Sequence, residues 1–234
     1  METERGAGTL SVEMTARVFA AAFCSTKTKE AFPVPPSDGA ALLTEMIFAL
    51  HGRAKYLTDG KLHVYPVKFG PVFEGIRLGK MTGAQFLFLA GMCMTLGIAF
   101  GSGEIVDPPA ETELNAARRC MDRAGDIRPT PAGGLCCGMA GCSPSYTVRP
   151  DAPEPFVAGM LIGATLGMAD TDFIFDRCEP TPQYAFCLDA ITAYGGTVLP
   201  LAEGVRVCTR RSELPELPEK LRKKHEFFMP RGRV

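Results

Sequence analysis

Residues 81–103 contain no Asp, Glu, Lys or Arg, and within them residues 86–100 are apolar on nearly every side of a helix. A helix without a polar face has to be surrounded, by protein or by lipid. Crossing a bilayer takes roughly 20 apolar residues. This run is shorter and is interrupted by Gly91, Thr95 and Gly97. The expectation is therefore a central helix inside a protein core, with a membrane location as the alternative. Residues 156–169 form a second run of the same kind, with Gly159, Gly163 and Gly167 at four-residue intervals. Small residues at that spacing let two helices approach closely. The two runs also echo each other: Ala90-Gly91-Met92 leads to Thr95-Leu96-Gly97, and Ala158-Gly159-Met160 leads to Thr165-Leu166-Gly167, a pattern that fits a duplicated unit.

Two helices precede the first run. Val12, Ala16, Phe19, Ala20 and Phe23 have helical spacing within residues 9–28, and a Pro-rich break follows. Ser37-Asp38 then caps a second helix whose Leu42, Leu43, Met46, Ile47 and Leu50 make a wide apolar face. Residues 55–67 predict a hairpin, because Asp59-Gly60 tolerates the positive φ of a tight turn. Residues 129–155 are rich in Gly, Pro and Ser and read as loop. Beyond them come the second apolar helix, a short strand at residues 173–175, a helix over residues 182–194 closed by Gly195-Gly196, a strand pair within residues 198–207 and a basic helix over residues 215–228. The expected fold is mainly α: a helical bundle with a small β-hairpin, plus a C-terminal α+β extension. Its domains are residues 1–130, a linker at 131–155, and residues 156–234.

At 234 residues with 46% hydrophobic content, the chain can build an ordinary core. Net charge is only −1, but residues 150–204 hold eight acids against one base and residues 209–234 hold eight bases against four acids. Such blocks can pair within a subunit or between neighbours. Residues 1–8 lack the pattern of a signal peptide, so the nine cysteines are expected to be free thiols in a reducing compartment. Cys136, Cys137 and Cys142 cluster, yet neither a histidine nor a paired C-x-x-C accompanies them, so no metal and no cofactor is expected. His51, His63 and His225 stand in no catalytic motif, and no catalytic residue is assigned.

Residues 108–128 predict an amphipathic helix with Glu111 and Glu113 in its first turn, Leu114, Ala117 and Met121 facing inward, and Arg118 and Arg119 on its flanks. Guanidinium groups bind phosphate in a fork, and phosphate contacts carry no sequence information. Here Ala110-Glu111-Thr112, Leu114-Asn115-Ala116-Ala117-Arg118-Arg119, Asp122 and Ile127-Arg128 stand in an order that resembles the coat proteins of rod-shaped, tobamovirus-type plant viruses. The order of elements over residues 9–128 is similar too. The resemblance implies a non-enzymatic coat or nucleocapsid-like subunit, located in a virion or host cytoplasm, that self-associates and coats single-stranded RNA. By that resemblance Arg118 and Arg119 would face the RNA; Arg123 and Arg128 further along, and Lys220, Arg222, Lys223 and Lys224 of the basic tail, are the other RNA contacts expected from their charge. Pro129 and Pro131 stop the helix where that family's continues.

Two alternatives accompany that expectation. One is an integral membrane subunit built on the two apolar helices. The other is a nuclease, since helices that begin with Ala-Gly and end in Gly resemble the paired helices of LAGLIDADG endonucleases. Asp170 and Glu104 lie near the ends where that family places metal-binding carboxylates.

Overall fold

The computed structural model describes residues 10–70, 76–120, 127–130, 134–137, 143–216 and 218–219. The protein is an α/β structure with six α-helices and three sheets among those residues. The expected helical bundle is thereby corrected.

One pattern of elements recurs three times. The second unit contains β4 (Ile76–Thr82), α3 (Gly83–Leu96), β5 (Phe100–Val106), α4 (Glu111–Cys120), β6 (Ile127–Pro129) and β7 (Leu135–Cys137). Its sheet has the order β4-β5-β7-β6, in which β4 and β5 are parallel and the other pairs antiparallel. The third unit repeats this: β8 (Ser145–Val148), α5 (Glu154–Ala164), β9 (Thr171–Phe175), α6 (Pro182–Ala193), β10 (Val198–Leu201) and β11 (Gly204–Val207), with sheet order β8-β9-β11-β10 and the same directions. Of the first unit the described residues comprise α1 (Val12–Cys24), β1 (Glu30–Phe32), α2 (Asp38–Ala49), β2 (Arg53–Tyr56) and β3 (Leu62–Tyr65), with sheet order β1-β3-β2, antiparallel throughout. The two echoing apolar runs are α3 and α5, the first helices of units two and three.

The first helix of each unit forms the centre. Beyond their first turns α3 and α5 bury every residue, and α1 buries all but Arg17. Full burial of a large apolar side chain contributes about 1.5–3 kcal/mol. Phe19, Phe23, Phe86, Phe88 and Phe156, all at the centre, are among the largest side chains so buried. Helices α3 and α5 touch backbone to backbone. A Cβ on Gly91 would lie 2.0 Å from the Phe156 carbonyl oxygen, and one on Gly159 would lie 1.9 Å from that of Phe88. Only glycine fits at either place.

The strands escape a sequence reading for identifiable reasons. They run three to seven residues, and β4 and β5 carry glycine and charge between their apolar positions. Strand β5 also starts inside the uncharged run, which continues past the end of α3. There Gly97, with φ 71°, ends the helix, and Phe100 begins a strand. Ser37 and Asp59-Gly60 perform as expected: the Ser37 hydroxyl accepts from Ala40 N–H at 3.3 Å, and Gly60 turns the β2–β3 hairpin at φ 71°. Residues 131–155 carry β7 and β8, which belong to different sheets. The arginine helix is α4 over residues 111–120, Met121 and Arg123 lie outside the described residues, and residues 127–129, expected within that helix, form β6.

Candidate functional site

The three central helices run the same way. Phe88 meets Gly159, Gly91 meets Phe156 and Met92 meets Gly163, so α3 and α5 rise together. Val12 and Thr15 of α1 share an apolar cleft with Ala84, Gln85 and Phe88 of α3. At the far end Arg210 joins α1 to α5: its N–H donates to the Thr165 carbonyl at 2.8 Å, and its Nη1 donates to the Phe23 carbonyl at 2.9 Å. The N-terminal ends of α1, α3 and α5 therefore face one end of the molecule. The carboxyl ends of β4, β5, β8 and β9 feed the helices of units two and three at their N-termini.

Two general effects single out that end. In open α/β sheets ligands bind outside the carboxyl ends of the strands, and helix N-termini favour anions through their dipoles and their N–H groups. Local backbone strain is found there as well. Asp107 (φ 52°), directly after β5, and Arg177 (φ 57°), two residues after β9, occupy the left-handed region that non-glycine residues avoid. Both lie in the connection that follows the second strand of their unit. Strained residues of this type persist only where their surroundings hold them and gather at functional sites.

At the head of α3, Thr82 and Gln85 form a capping box. Thr82 N–H donates to Gln85 Oε1 at 2.8 Å, and Gln85 N–H donates to Thr82 Oγ1 at 3.3 Å. Gly83 lets the β5–α4 connection lie against it, since a Cβ would come within 2.4 Å of the Asp107 carbonyl oxygen. Ahead of α5, Arg149 and Asp151 lie on the connection from β8, Glu154 opens the helix, and Ala152 N–H donates to the Arg149 carbonyl at 3.0 Å to close a turn. Arg119 of α4 forms an ion pair with Asp151. Beneath them the Cys120 thiol is pushed up to about 11, chiefly by burial and next by the Asp151 charge, against the opposing influence of Arg149 and Arg119. Tyr184 is raised by burial and then by the nearby Glu154. A depression of about 710 Å³ opens between Thr147, Asp176, Arg177, Cys178, Glu179 and Glu203, past the end of β9.

The residues expected to bind RNA are distributed differently. Arg118 donates from Nη1 to Glu111 Oε1 at 2.6 Å and to Asn115 Oδ1 at 2.7 Å, and from Nη2 to the Ile127 carbonyl at 2.8 Å. Its guanidinium thus ties α4 to β6. Arg119 is held by Asp151 across the connection to α5. Arg128 lies exposed on β6, opposite Cys136 of β7. Arg123, Lys220, Arg222, Lys223 and Lys224 lie outside the described residues, as do Cys142 and His225. Cys136 is half-buried and Cys137 buried, and no group of three or more metal-ligating side chains occurs among the described residues. His63 is buried, with Nε2 2.7 Å from Asp59 Oδ2. Sequence reasoning missed Thr82, Asp107, Arg149, Asp151 and Arg177. The T-x-x-Q capping box directly before an apolar run was the signal that could have located the first of them.

No family model matches the sequence, and no curated protein does. Solved structures do match. EPSP synthase from Acinetobacter baumannii superposes with a TM-score of 0.57 at 10% identity, covering 84% of this chain and 45% of that one. A second structure of the enzyme gives a TM-score of 0.51 at 12% identity, with the same coverage. The enolpyruvyl transferase NikO from Streptomyces tendae gives 0.49 at 15% identity, covering 88% of this chain and 48% of that one. The chain spans about half the length of these proteins. It shares the EPSP synthase fold. That fold overturns the resemblance to viral coat proteins, and with it the non-enzymatic capsid subunit, the helical assembly and the virion location. The nuclease alternative falls as well: α3 and α5 pack through glycines, but as first helices of two βαβαββ units. The membrane alternative loses its basis, because α3 has 14 residues and no described helix is long and apolar enough to cross a membrane.

Proposed function

We propose that the chain is one lobe of an enzyme of the enolpyruvyl transferase class, which presents the N-terminal ends of α1, α3 and α5 to anionic substrates. The observation that carries the reading is the gathering of these helix ends beside Arg149, Arg119 and Asp151, on a fold shared with EPSP synthase. An enolpyruvyl group bears a carboxylate, so donor and product are both anions that helix dipoles and guanidinium groups favour. In the transfer, an acceptor hydroxyl oxygen bonds to the vinyl carbon, the bond from that carbon to the leaving group breaks with its electron pair, and the hydroxyl proton passes to a base. Arg149 is assigned to the carboxylate and Asp151 to the proton, with Arg119 fixing the Asp151 carboxylate. A second lobe is needed to close the site over the substrates, because this chain matches about half of each enzyme's length.

Calorimetric titration of the full chain with phosphoenolpyruvate, an activated enolpyruvyl ester, tests the assignment. Arg149→Ala is expected to weaken binding about tenfold to a hundredfold, the scale of a lost hydrogen bond to a charged group. Equal affinity in the variant, or no binding by the parent protein, removes the reading.

A further inference from the structure

The fold neutralises the acidic block of residues 150–204 only in part. Asp151 pairs with Arg119 and Asp172 with Arg206, while Asp170 accepts from Thr209 N–H at 2.9 Å. Asp176, Glu179 and Glu203 instead stand exposed around the depression of about 710 Å³ past the end of β9. Asp176 has only Arg177 beside it, with Nε at 3.9 Å on a side chain that is 93% exposed, and Glu179 and Glu203 have no cationic partner among the described residues. Ile174, Phe175 and Pro180 add apolar surface to the same depression. Its chemistry is therefore a negative rim with apolar surface between the carboxylates.

The chain carries a segment of complementary chemistry. Residues 220–228, Lys-Leu-Arg-Lys-Lys-His-Glu-Phe-Phe, place four bases within five positions and follow them with two phenylalanines. The point from which this segment extends is fixed, since Gly70 N–H donates to the Pro215 carbonyl at 3.2 Å. From Glu216 to Phe228 the chain can span up to about 40 Å. Strand β9, which runs the height of the third sheet, has five residues and so is about 16 Å long. We infer that residues 220–228 dock in this depression within their own chain, with Lys220, Arg222, Lys223 and Lys224 against the Asp176, Glu179 and Glu203 carboxylates and the two phenylalanine rings against the apolar surface. Exposed ion pairs are individually weak and are screened by salt. Tethering offsets that weakness, because a linked segment acts at an effective concentration on the order of millimolar. The docking uses none of the residues assigned to enolpyruvyl transfer, so it stands or falls separately from that reading.

The test is zero-length carbodiimide cross-linking of the full chain at low protein concentration, read by peptide mass spectrometry. Expected are links from Lys220, Lys223 or Lys224 to Asp176, Glu179 or Glu203 within one chain, with yields about tenfold lower when salt is raised to about 0.5 M. Hydrogen–deuterium exchange over residues 176–180 gives a second reading. Glu179→Lys together with Glu203→Lys, both at exposed positions, should speed that exchange about tenfold, and adding Lys223→Glu with Lys224→Glu should restore the slow rate. Links only to other carboxylates, links that form only between two chains, or exchange unchanged by the charge reversal would overturn the inference.

Discussion

Two arginines of the last unit show how single residues close the molecule. Arg210 donates from its guanidinium to the Phe23 carbonyl at the end of α1 and from its backbone N–H to the Thr165 carbonyl at the end of α5, and its side chain is 17% exposed beside Glu213. A cation at a helix C-terminus is favourable, and here it also joins the third unit to the first. Arg210→Ala should cost about 1–3 kcal/mol of stability, read as a lower urea midpoint. Arg206 of β11 forms a fork with Asp172 of β9 at 2.6 and 2.9 Å. That hydrogen bonding holds the Asp172 carboxyl below its ordinary value of 3.8. A depressed folded pKa gives stability that is present above the unfolded value and lost as pH falls through the folded one. Arg206→Met should therefore lower the melting temperature at pH 7 and have little effect near pH 2. An equal loss at both pH values would show that packing, not charge, is what Arg206 contributes.

Among the elements, the α3–α5 seam decides the fold. Gly91 and Gly159 each sit where an added methyl group would strike the other helix's backbone. Gly159→Ala should destabilise by roughly 3 kcal/mol or more, since rigid backbone has to move apart to admit the methyl. Thr82→Ala removes the α3 cap and should cost about 1 kcal/mol, with Gln85 left unable to complete the box. Chemical denaturation of the two variants checks the ranking. The helices were legible in the sequence because each has either an unbroken apolar run or a capping residue that stops and starts it. Strands β4 to β8 were not, because short strands with glycine and charge between apolar positions lack a clear period. The sheet that unites β4 with β5 depends on residues about 24 positions apart, such as Ile76 and Phe100, and local pattern carries no record of that pairing.

At the scale of the whole molecule, the repeat is the organising fact. Ala90-Gly91-Met92 and Ala158-Gly159-Met160 advertised two copies of a unit, but the strands flanking them and the third copy around α1 emerge only in the topology. The candidate site was almost illegible for the same reason. Thr82, Asp107 and the Arg149–Asp151 pair lie at three separate strand-to-helix connections, and only the parallel course of the central helices brings those connections to one end. The paired arginines, which drew attention in the sequence, turned out to hold α4 to β6 and to the α5 connection. The most direct measurement of the account is a chemical-shift map of the labelled protein titrated with phosphoenolpyruvate. The amides around residues 11–14, 82–86 and 149–157 are expected to shift together, saturably, while those around Arg210 at the opposite end stay still. Shifts confined to the Arg210 end, or none at any concentration, would contradict the placement of an anionic substrate at the heads of the central helices.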